Sequence, residues 1–129
     1  MVDRQTLKYH RFYSDSSGES HLDEVDVKQT LVQAAPPAPP LLVSVFNPAS
    51  TYGFFSVPAG WVGDWHPAPA RQFMILLSGK LEALTSDGGV LLMESGDILL
   101  LEDTWGRGHR SKNIGSSVCH FFVARLPTQ

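Results

Sequence analysis

The chain has 129 residues, of which 43% are hydrophobic and 18% are charged, and its formal net charge is −3. This length and hydrophobic content predict one domain with a real core and argue against a disordered protein. The slightly acidic charge gives no electrostatic basis for binding nucleic acid. Cys119 is the only cysteine, which excludes an intramolecular disulfide and fits a reducing compartment.

The chain opens with MVDRQTLKYH, which lacks the apolar stretch of a signal peptide. No apolar run approaches the roughly 20 residues that a membrane-spanning helix needs. We therefore expect a cytoplasmic protein that does not associate with membranes.

The N-terminal part predicts a β-hairpin followed by a stiff connector. Residues 12–27, FYSDSSGESHLDEVDV, are two extended stretches around a turn-rich DSSG. Residues 33–40, QAAPPAPP, are typical of a short polyproline-like segment. Within a single domain spanning residues 1–129, we expect residues 1–40 to form an added hairpin and arm, and residues 41–129 to form a β-barrel.

The rest of the chain consists of short runs rich in β-branched and aromatic residues, separated by turn clusters such as NPAS, SDGG and NIGSS. This pattern predicts an all-β sandwich or barrel. In QFMILLSG, the side chains of Gln72, Met74 and Leu76 share one face, and the residues between them share the other. Because both faces are apolar, we expect this strand to be covered on both sides.

Residues 63–73, GDWHPAPARQF, place polar side chains where a barrel strand is normally apolar. Asp64 and His66 share a face, and Trp65 points away from them. Such an inversion is expected where a protein builds a site. Pro67 and Pro69 then fix the turn that leads to Gln72.

Two stretches of the chain, residues 60–79 and residues 96–113, resemble the two sequence motifs of the cupin superfamily. The first motif has a glycine, two histidines at i and i+2, a glutamate and, seven residues later, a glycine. The second opens with a glycine and closes with a histidine followed four residues on by an asparagine. The matching positions here are Gly60, Asp64, His66, Gln72 and Gly79 for the first motif, and Gly96, His109 and Asn113 for the second.

The resemblance covers about half the chain and implies a cupin-type double-stranded β-helix, a jelly-roll barrel whose open mouth holds a metal in the family's enzymes. It also implies a homodimer, since small cupins often dimerise. An N-terminal hairpin with little core of its own points the same way, because it should add to a sheet edge, either its own or a partner's.

The first motif departs from the family pattern at two positions. Asp64 stands in place of the first histidine, and Gln72 stands in place of the glutamate. The resemblance still implies His66, Gln72 and His109 as metal ligands, with Asp64 at the edge of the pocket. The implied ion is divalent iron, manganese, nickel or zinc. A degenerate cupin whose pocket binds a small molecule without metal remains the alternative. Imidazoles of His66 and His109 more than about 7 Å apart would exclude a shared ion.

Five further residues are candidates for the same pocket. His21 shares a face with valines, so it either caps the pocket or is a hydrogen-bonded packing residue. Met74 lies on the face of Gln72, and Trp105 is expected to wall the mouth or to pack at the barrel end. Arg107 is placed to meet a substrate carboxylate. His120 is expected in the core or the pocket wall.

Three classes of function remain open from the sequence. The first is a metal-dependent cupin enzyme of dioxygenase, isomerase or lyase type, acting on a small polar or carboxylated metabolite. The second is a metal-free binding or sensing module that uses the same cavity. The third is a structural or interaction protein. Nucleophilic catalysis finds no support, because the chain lacks a Gly-x-Ser-x-Gly elbow and its one cysteine lies in a strand.

Overall fold

Eleven β-strands and no helix are formed by residues 6–128, which are the residues that the computed structural model describes. The strands are β1 (Lys8–Ser14), β2 (Ser20–Asp26), β3 (Thr30–Val32), β4 (Leu41–Val43), β5 (Thr51–Val57), β6 (Gln72–Ser78), β7 (Leu81–Thr85), β8 (Val90–Met93), β9 (Ile98–Glu102), β10 (His109–Asn113) and β11 (Cys119–Arg125). The predicted all-β class is confirmed.

The strands form a six-stranded sheet, a three-stranded sheet and a separate two-stranded hairpin. The six-stranded sheet has the order β2-β1-β9-β6-β11-β5, and the three-stranded sheet has the order β10-β7-β8. Every pairing is antiparallel except that of β1 with β9, which is parallel. Within residues 6–128, β3 and β4 pair only with each other. No helix of residues 6–128 has the length and apolar character needed to cross a membrane.

The core lies between the two larger sheets. Phe12, Leu76 and Phe121 contribute fully or almost fully buried side chains from the six-stranded sheet, and Leu81 and Met93 meet them from the three-stranded sheet. These residues alternate along their strands with residues that face outward, as the period of two requires. Full burial of each such side chain stabilises the fold by roughly 1.5–3 kcal/mol.

The N-terminal hairpin forms as predicted and adds to an edge of the chain's own six-stranded sheet, but it is not a separate arm. β1 and β2 join around the DSSG turn, where Asp15 Oδ1 accepts hydrogen bonds from the backbone N–H groups of Ser17 and Glu19. However, β1 is an interior strand of the six-stranded sheet, and Phe12 is part of the core. The hairpin therefore completes the main sheet, because its inward apolar side chain packs with those of β6, β9 and β11.

The proline-rich segment also has a different place from the one expected. Residues 33–40 join β3 to β4, so the segment is the loop of a short hairpin rather than a connector to the barrel. We refer to residues 30–43 as the projecting hairpin. Its side chains Leu31, Val32, Leu41 and Leu42 are exposed, and Val43 is half-buried.

Candidate functional site

His66 and His109 lie side by side at one end of the core. The backbone N–H of each donates to the carbonyl oxygen of the other, at 3.0 and 2.9 Å. This two-residue bridge brings the imidazole ring centroids to 4.8 Å, with the ring planes inclined by 57°. His66 is exposed, whereas His109 is 7% exposed. The pair therefore connects the surface with the buried end of the three-stranded sheet.

Gly108 makes this close approach possible. It has φ of +71°, and a Cβ at this position would lie 2.0 Å from the carbonyl oxygen of His66. A residue with a side chain would therefore force the two backbone segments apart. The glycine-rich WGRGH stretch has a structural role next to the site, as the turn that delivers His109 to His66.

Hydrogen bonds fix the same tautomer in both rings. His66 Nδ1 lies 2.7 Å from the backbone oxygen of Asp64, and His109 Nδ1 lies 2.7 Å from Oδ2 of Asp103. Because a carbonyl and a carboxylate oxygen only accept, each Nδ1 must carry the proton. In each neutral ring the lone pair is then on Nε2, which is the nitrogen free to accept a proton or bind a metal.

Asp103 is the residue of this site that the sequence analysis missed. It is fully buried and follows β9 directly, and its other carboxylate oxygen has no hydrogen-bond partner among the described residues. Alternation would have found it, because Leu99 and Leu101 are inward-facing residues of β9 and Asp103 is the next position on that face. A carboxylate at the end of an apolar strand face is a signal of a built polar site.

Gln72 is buried on the inner face of the six-stranded sheet, in register with Leu101 on one side and Arg125 on the other. Its side-chain oxygen accepts a hydrogen bond of 3.0 Å from Arg125 Nε. This amide oxygen is therefore shared with a guanidinium group. Arg125 was also missed by the sequence analysis, although it follows Cys119, Phe121 and Val123 on the same strand face.

Asp64 joins the site through its backbone rather than through its carboxylate. The residue is exposed, and its carbonyl oxygen is the acceptor for the His66 ring. Among residues 6–128, no three His, Cys, Asp or Glu side chains group in a way that would hold a metal ion. The ligand role of Asp64 stays a prediction, and the geometry around His66 and His109 gives it no support.

Two of the five pocket candidates form a separate polar cluster near the β1–β2 turn. His21 stacks on Tyr13 and contacts two carboxylates, Asp15 at 2.7 Å and Asp87 at 2.8 Å. Arg107 is exposed, and its guanidinium group lies 3.2 Å from a carboxylate oxygen of Glu19. Both side chains are therefore paired with acidic residues of the β1–β2 and β7–β8 turns.

The remaining candidates are also away from the two histidines or in the core. Trp105 is exposed and contacts the turn at Gly18, and its backbone oxygen accepts from Ser14. Met74 packs against the core next to Gln72 along β6. The prediction that His120 lies in the core or a pocket wall is wrong. It is exposed, and its Nδ1 forms a hydrogen bond with the hydroxyl group of Ser56. His120 faces outward because the neighbouring Phe121 faces the core.

The spacing of the two imidazole rings is compatible with one shared metal ion, although residues 6–128 group no third His, Cys, Asp or Glu with them. Imidazoles that share one ion through bonds of about 2.1 Å have ring centroids about 4.5–5.5 Å apart, and the 4.8 Å found here lies in that range. It also lies within the 7 Å limit that the sequence analysis set. Metal-bound histidines almost always donate their other ring N–H to a carboxylate or a backbone carbonyl, as both rings do here.

This chain is similar to solved structures at low sequence identity. An RmlC-like cupin family protein with a double-stranded β-helix fold from Methanocaldococcus jannaschii is 17% identical, with coverage of 98% of this chain and 93% of that one and a TM-score of 0.51. The cupin domain of Cnp3 from Schizosaccharomyces pombe is 18% identical, with coverage of 98% and 86% and a TM-score of 0.49. No family model matches the chain, and no curated protein matches it significantly. The first likeness confirms the predicted fold, a cupin-type double-stranded β-helix.

Proposed function

From the cupin fold of this chain, we propose that His66 and His109 bind one divalent transition-metal ion at the mouth of the barrel. The observation that carries the proposal is that both Nδ1 atoms lie 2.7 Å from an oxygen acceptor, while neither Nε2 atom has a hydrogen-bond partner within residues 6–128. Two such lone pairs on neighbouring rings can bind one metal ion, and imidazole nitrogens suit zinc, iron, nickel and copper.

Each neighbouring residue has a distinct part in this proposal. Asp103 holds the ring of His109, since a hydrogen-bonded carboxylate orients an imidazole and makes it a better metal ligand. The backbone of Asp64 orients His66 in the same way. Gln72 is a neutral oxygen donor whose lone pairs are shared with Arg125. The protein thus supplies little ligand charge, and we expect an affinity well below that of a closed structural zinc site.

Such a site leaves coordination positions for a small ligand. We propose that the ligand is a small polar or carboxylated metabolite, because its oxygen atoms would supply the negative charge that the protein ligands lack. A bound ion of this kind polarises a ligand oxygen or lowers the pKa of a bound water. Cupin folds support many reactions, so the reaction class does not follow from the fold.

Metal analysis of tag-free protein tests the proposal. Zn²⁺ and Ni²⁺ should each bind one per chain in isothermal titration, and the His66→Ala/His109→Ala double variant should lose at least about 100-fold in affinity, since each lost ligand costs roughly tenfold or more. His120→Ala is the matched control, because this histidine is exposed on the outer face and should leave binding unchanged. Wild-type binding in the double variant, or loss in the control, would refute the assignment.

Gln72→Glu sharpens the test because it restores the ligand type that the cupin motif has at this position. We expect a tighter site, by about tenfold or more, since a carboxylate replaces a neutral amide next to the ion. An unchanged affinity would remove Gln72 from the ligand set and leave the two histidines.

A metal-free binding site is the second candidate function, and the contact between Gln72 and Arg125 favours it. The guanidinium group engages the amide oxygen and disfavours a cation close to it. In that case the two histidines and Gln72 would bind a small polar molecule through hydrogen bonds. Ligand screening by thermal shift with a chelator present separates the two candidates, because stabilisation by a small carboxylate under those conditions requires no metal.

A further inference from the structure

The turn between β1 and β2 lies against the loop that leads to His109. We call residues 104–108 the His109 loop. The backbone N–H of Arg107 donates to the carbonyl oxygen of Gly18 in the turn, at 2.9 Å. A Cβ at Gly106 would lie 2.4 Å from the same oxygen, so the two backbones are in direct contact. The N-terminal hairpin therefore packs on the chain segment immediately before one of the two site histidines.

Ser20, the first residue of β2, makes the buried part of this contact. It is fully buried, and its hydroxyl oxygen lies 2.7 Å from the carbonyl oxygen of Gly108. Because a carbonyl oxygen only accepts, the hydroxyl proton points to Gly108. The same hydroxyl oxygen accepts a hydrogen bond of 2.7 Å from the backbone N–H of Ser86. The Ser20 hydroxyl group is thus held from two sides and has a fixed direction.

One peptide unit joins Gly108 to His109, and both of its polar ends are bonded. Its oxygen accepts from Ser20, and its N–H, which belongs to His109, donates to the carbonyl oxygen of His66 at 2.9 Å. Since the unit is planar, these two bonds fix the orientation of the backbone from which the His109 ring projects. A hydrogen bond to the oxygen also polarises the unit and strengthens its N–H as a donor. Ser20 is therefore linked to the pairing of the two histidines through a single peptide group.

We propose that Ser20 is a positioning residue for His109, whose hydroxyl group holds the Gly108–His109 peptide unit and so keeps the two imidazoles at their close spacing. The proposal extends the metal site proposed above and rests on it for the effect on metal affinity. Site residues need support from side chains whose own rotamers are locked, and a displacement of about 0.5 Å already matters. Asp103 fixes the rotation of the His109 ring, whereas Ser20 fixes the backbone that carries it. Neither bond can replace the other.

NMR of the metal-free protein tests the positioning role independently of any metal. In Ser20→Ala, the backbone amide proton of His109 should exchange with solvent about fivefold faster or more, because the peptide unit loses one of its two bonds. The side-chain nitrogen-15 signals of His109 should shift as well, because the backbone that carries the ring is no longer fixed. Ser20→Thr retains the hydroxyl group and should restore the exchange rate and the ring signals towards those of the wild type.

Ser86→Ala is the matched control for these measurements. The Ser86 hydroxyl group accepts from the backbone N–H of Ser20 and donates to the carboxylate of Glu19, but among residues 6–128 it has no bond to the His109 loop. The control therefore weakens the same network and should leave the His109 signals unchanged. Equal changes in Ser20→Ala and Ser86→Ala would overturn the proposal, because they would come from a general loss of stability. Unchanged His109 signals in Ser20→Ala would overturn it too.

Isothermal titration with Zn²⁺ extends the test to the metal site. Ser20→Ala should bind Zn²⁺ about tenfold more weakly than the wild type, as loss of a supporting hydrogen bond typically does, while Ser86→Ala and Ser20→Thr should bind it as the wild type does. A wild type that does not bind Zn²⁺ would refute the proposed function, and the metal-free NMR result would still decide the role of Ser20. Wild-type affinity in Ser20→Ala would refute the positioning role and leave the metal site standing.

Hydrogen exchange in the wild type decides the matter if Ser20→Ala does not fold. Because coupling between two sites is reciprocal, Zn²⁺ bound at the histidines should slow exchange of the Ser20 amide, which donates to the hydroxyl group of Ser86. The amide of Val123 in β11 is the reference, since it lies in the middle of the six-stranded sheet. Equal slowing at both amides, or no slowing at Ser20, would overturn the proposal.

Discussion

The two faces of the six-stranded sheet are built from the same strands and the same kinds of residue, yet they end in different environments. The inner face meets the three-stranded sheet, and Leu76 and Phe121 are buried there. The outer face carries Phe54 and Tyr52 largely in solvent. The inner face also ends in polar residues, Gln72 and Asp103, which are as buried as the core.

This difference shows which part of the molecule can bind a polar ligand. Buried polar groups need partners, because an unsatisfied one costs roughly 1–3 kcal/mol, so the polar end of the inner face is where a ligand has something to bind. The outer face carries apolar side chains such as Phe54 and Phe122 instead, and burial of such side chains removes apolar surface from water.

Truncating one aromatic side chain on each face should give the largest contrast. Phe12→Ala should lower the free energy of unfolding by about 3–5 kcal/mol, since a fully buried phenyl group is replaced by a cavity. Phe54→Ala should change it by less than about 1 kcal/mol, because this side chain is 68% exposed. Urea denaturation measures both values. Equal losses would show that the outer face is packed in the monomer.

Asp103→Asn should weaken metal binding at the inner face by about 10–100-fold, as loss of an outer-shell carboxylate typically does. The buried amide can no longer accept from His109 Nδ1 with a full negative charge, so the preferred tautomer and the basicity of Nε2 both change. Isothermal titration with Zn²⁺ measures the affinity. Glu102→Gln is a matched control, because this neighbouring carboxylate pairs with Arg11 and Arg71 outside the site. An Asp103→Asn affinity equal to that of the control would show that Asp103 only supports the fold.

A change at His21, where turns of the two larger sheets meet, should have the smallest effect on stability, and this effect should depend on pH. His21 on β2 contacts Asp15 in the β1–β2 turn and Asp87 in the β7–β8 turn, with Tyr13 stacked on the ring. The hydrogen bond with Asp15, and less strongly that with Asp87, raises the pKa of His21, while the hydrogen bond with His21 holds the pKa of Asp15 well below its usual range.

The direction of the pH effect follows from these two shifts. A raised histidine pKa stabilises the fold below the ordinary value of 6.5, and this stabilisation is lost as the pH rises through the folded-state value. The lowered pKa of Asp15 stabilises the fold at pH values above the ordinary value of 3.8. This stabilisation is lost as the pH falls through the folded-state value. The difference in urea midpoint between wild type and His21→Gln should therefore be present at pH 5.5 and shrink as the pH rises. A difference that grows with pH would contradict this account.

Much of the fold was predictable because strand alternation and turn composition are local signals. The DSSG turn and the inward face of Gln72, Met74 and Leu76 follow from a period of two. The place of the N-terminal hairpin was not predictable, because the parallel pairing of β1 with β9 joins residues about 90 positions apart. Residues 33–40 are a different case, because β3 and β4 flank them directly and pair as a local hairpin. The proline content indicated a stiff connector but did not show that its two flanks pair.

The candidate site divides in the same way. His66 and His109 were identified by motif spacing, and their pairing across the backbone bridge agrees with it. Arg107 and His21 were predicted as pocket residues. The structure instead pairs them with acidic residues, and sequence spacing does not reveal such pairs. Strand alternation predicts that Asp103 faces inward, but the apolar residues before it indicate only a core strand.

Long-range nitrogen-15 NMR of the histidine side chains tests the central claim most directly. The metal-free protein should show the Nδ1–H tautomer for both His66 and His109, and one equivalent of Zn²⁺ should shift Nε2 of both rings together while His120 stays unchanged. An Nε2–H tautomer in either ring of the pair, or a titration in which the pair does not respond to Zn²⁺, would contradict the account.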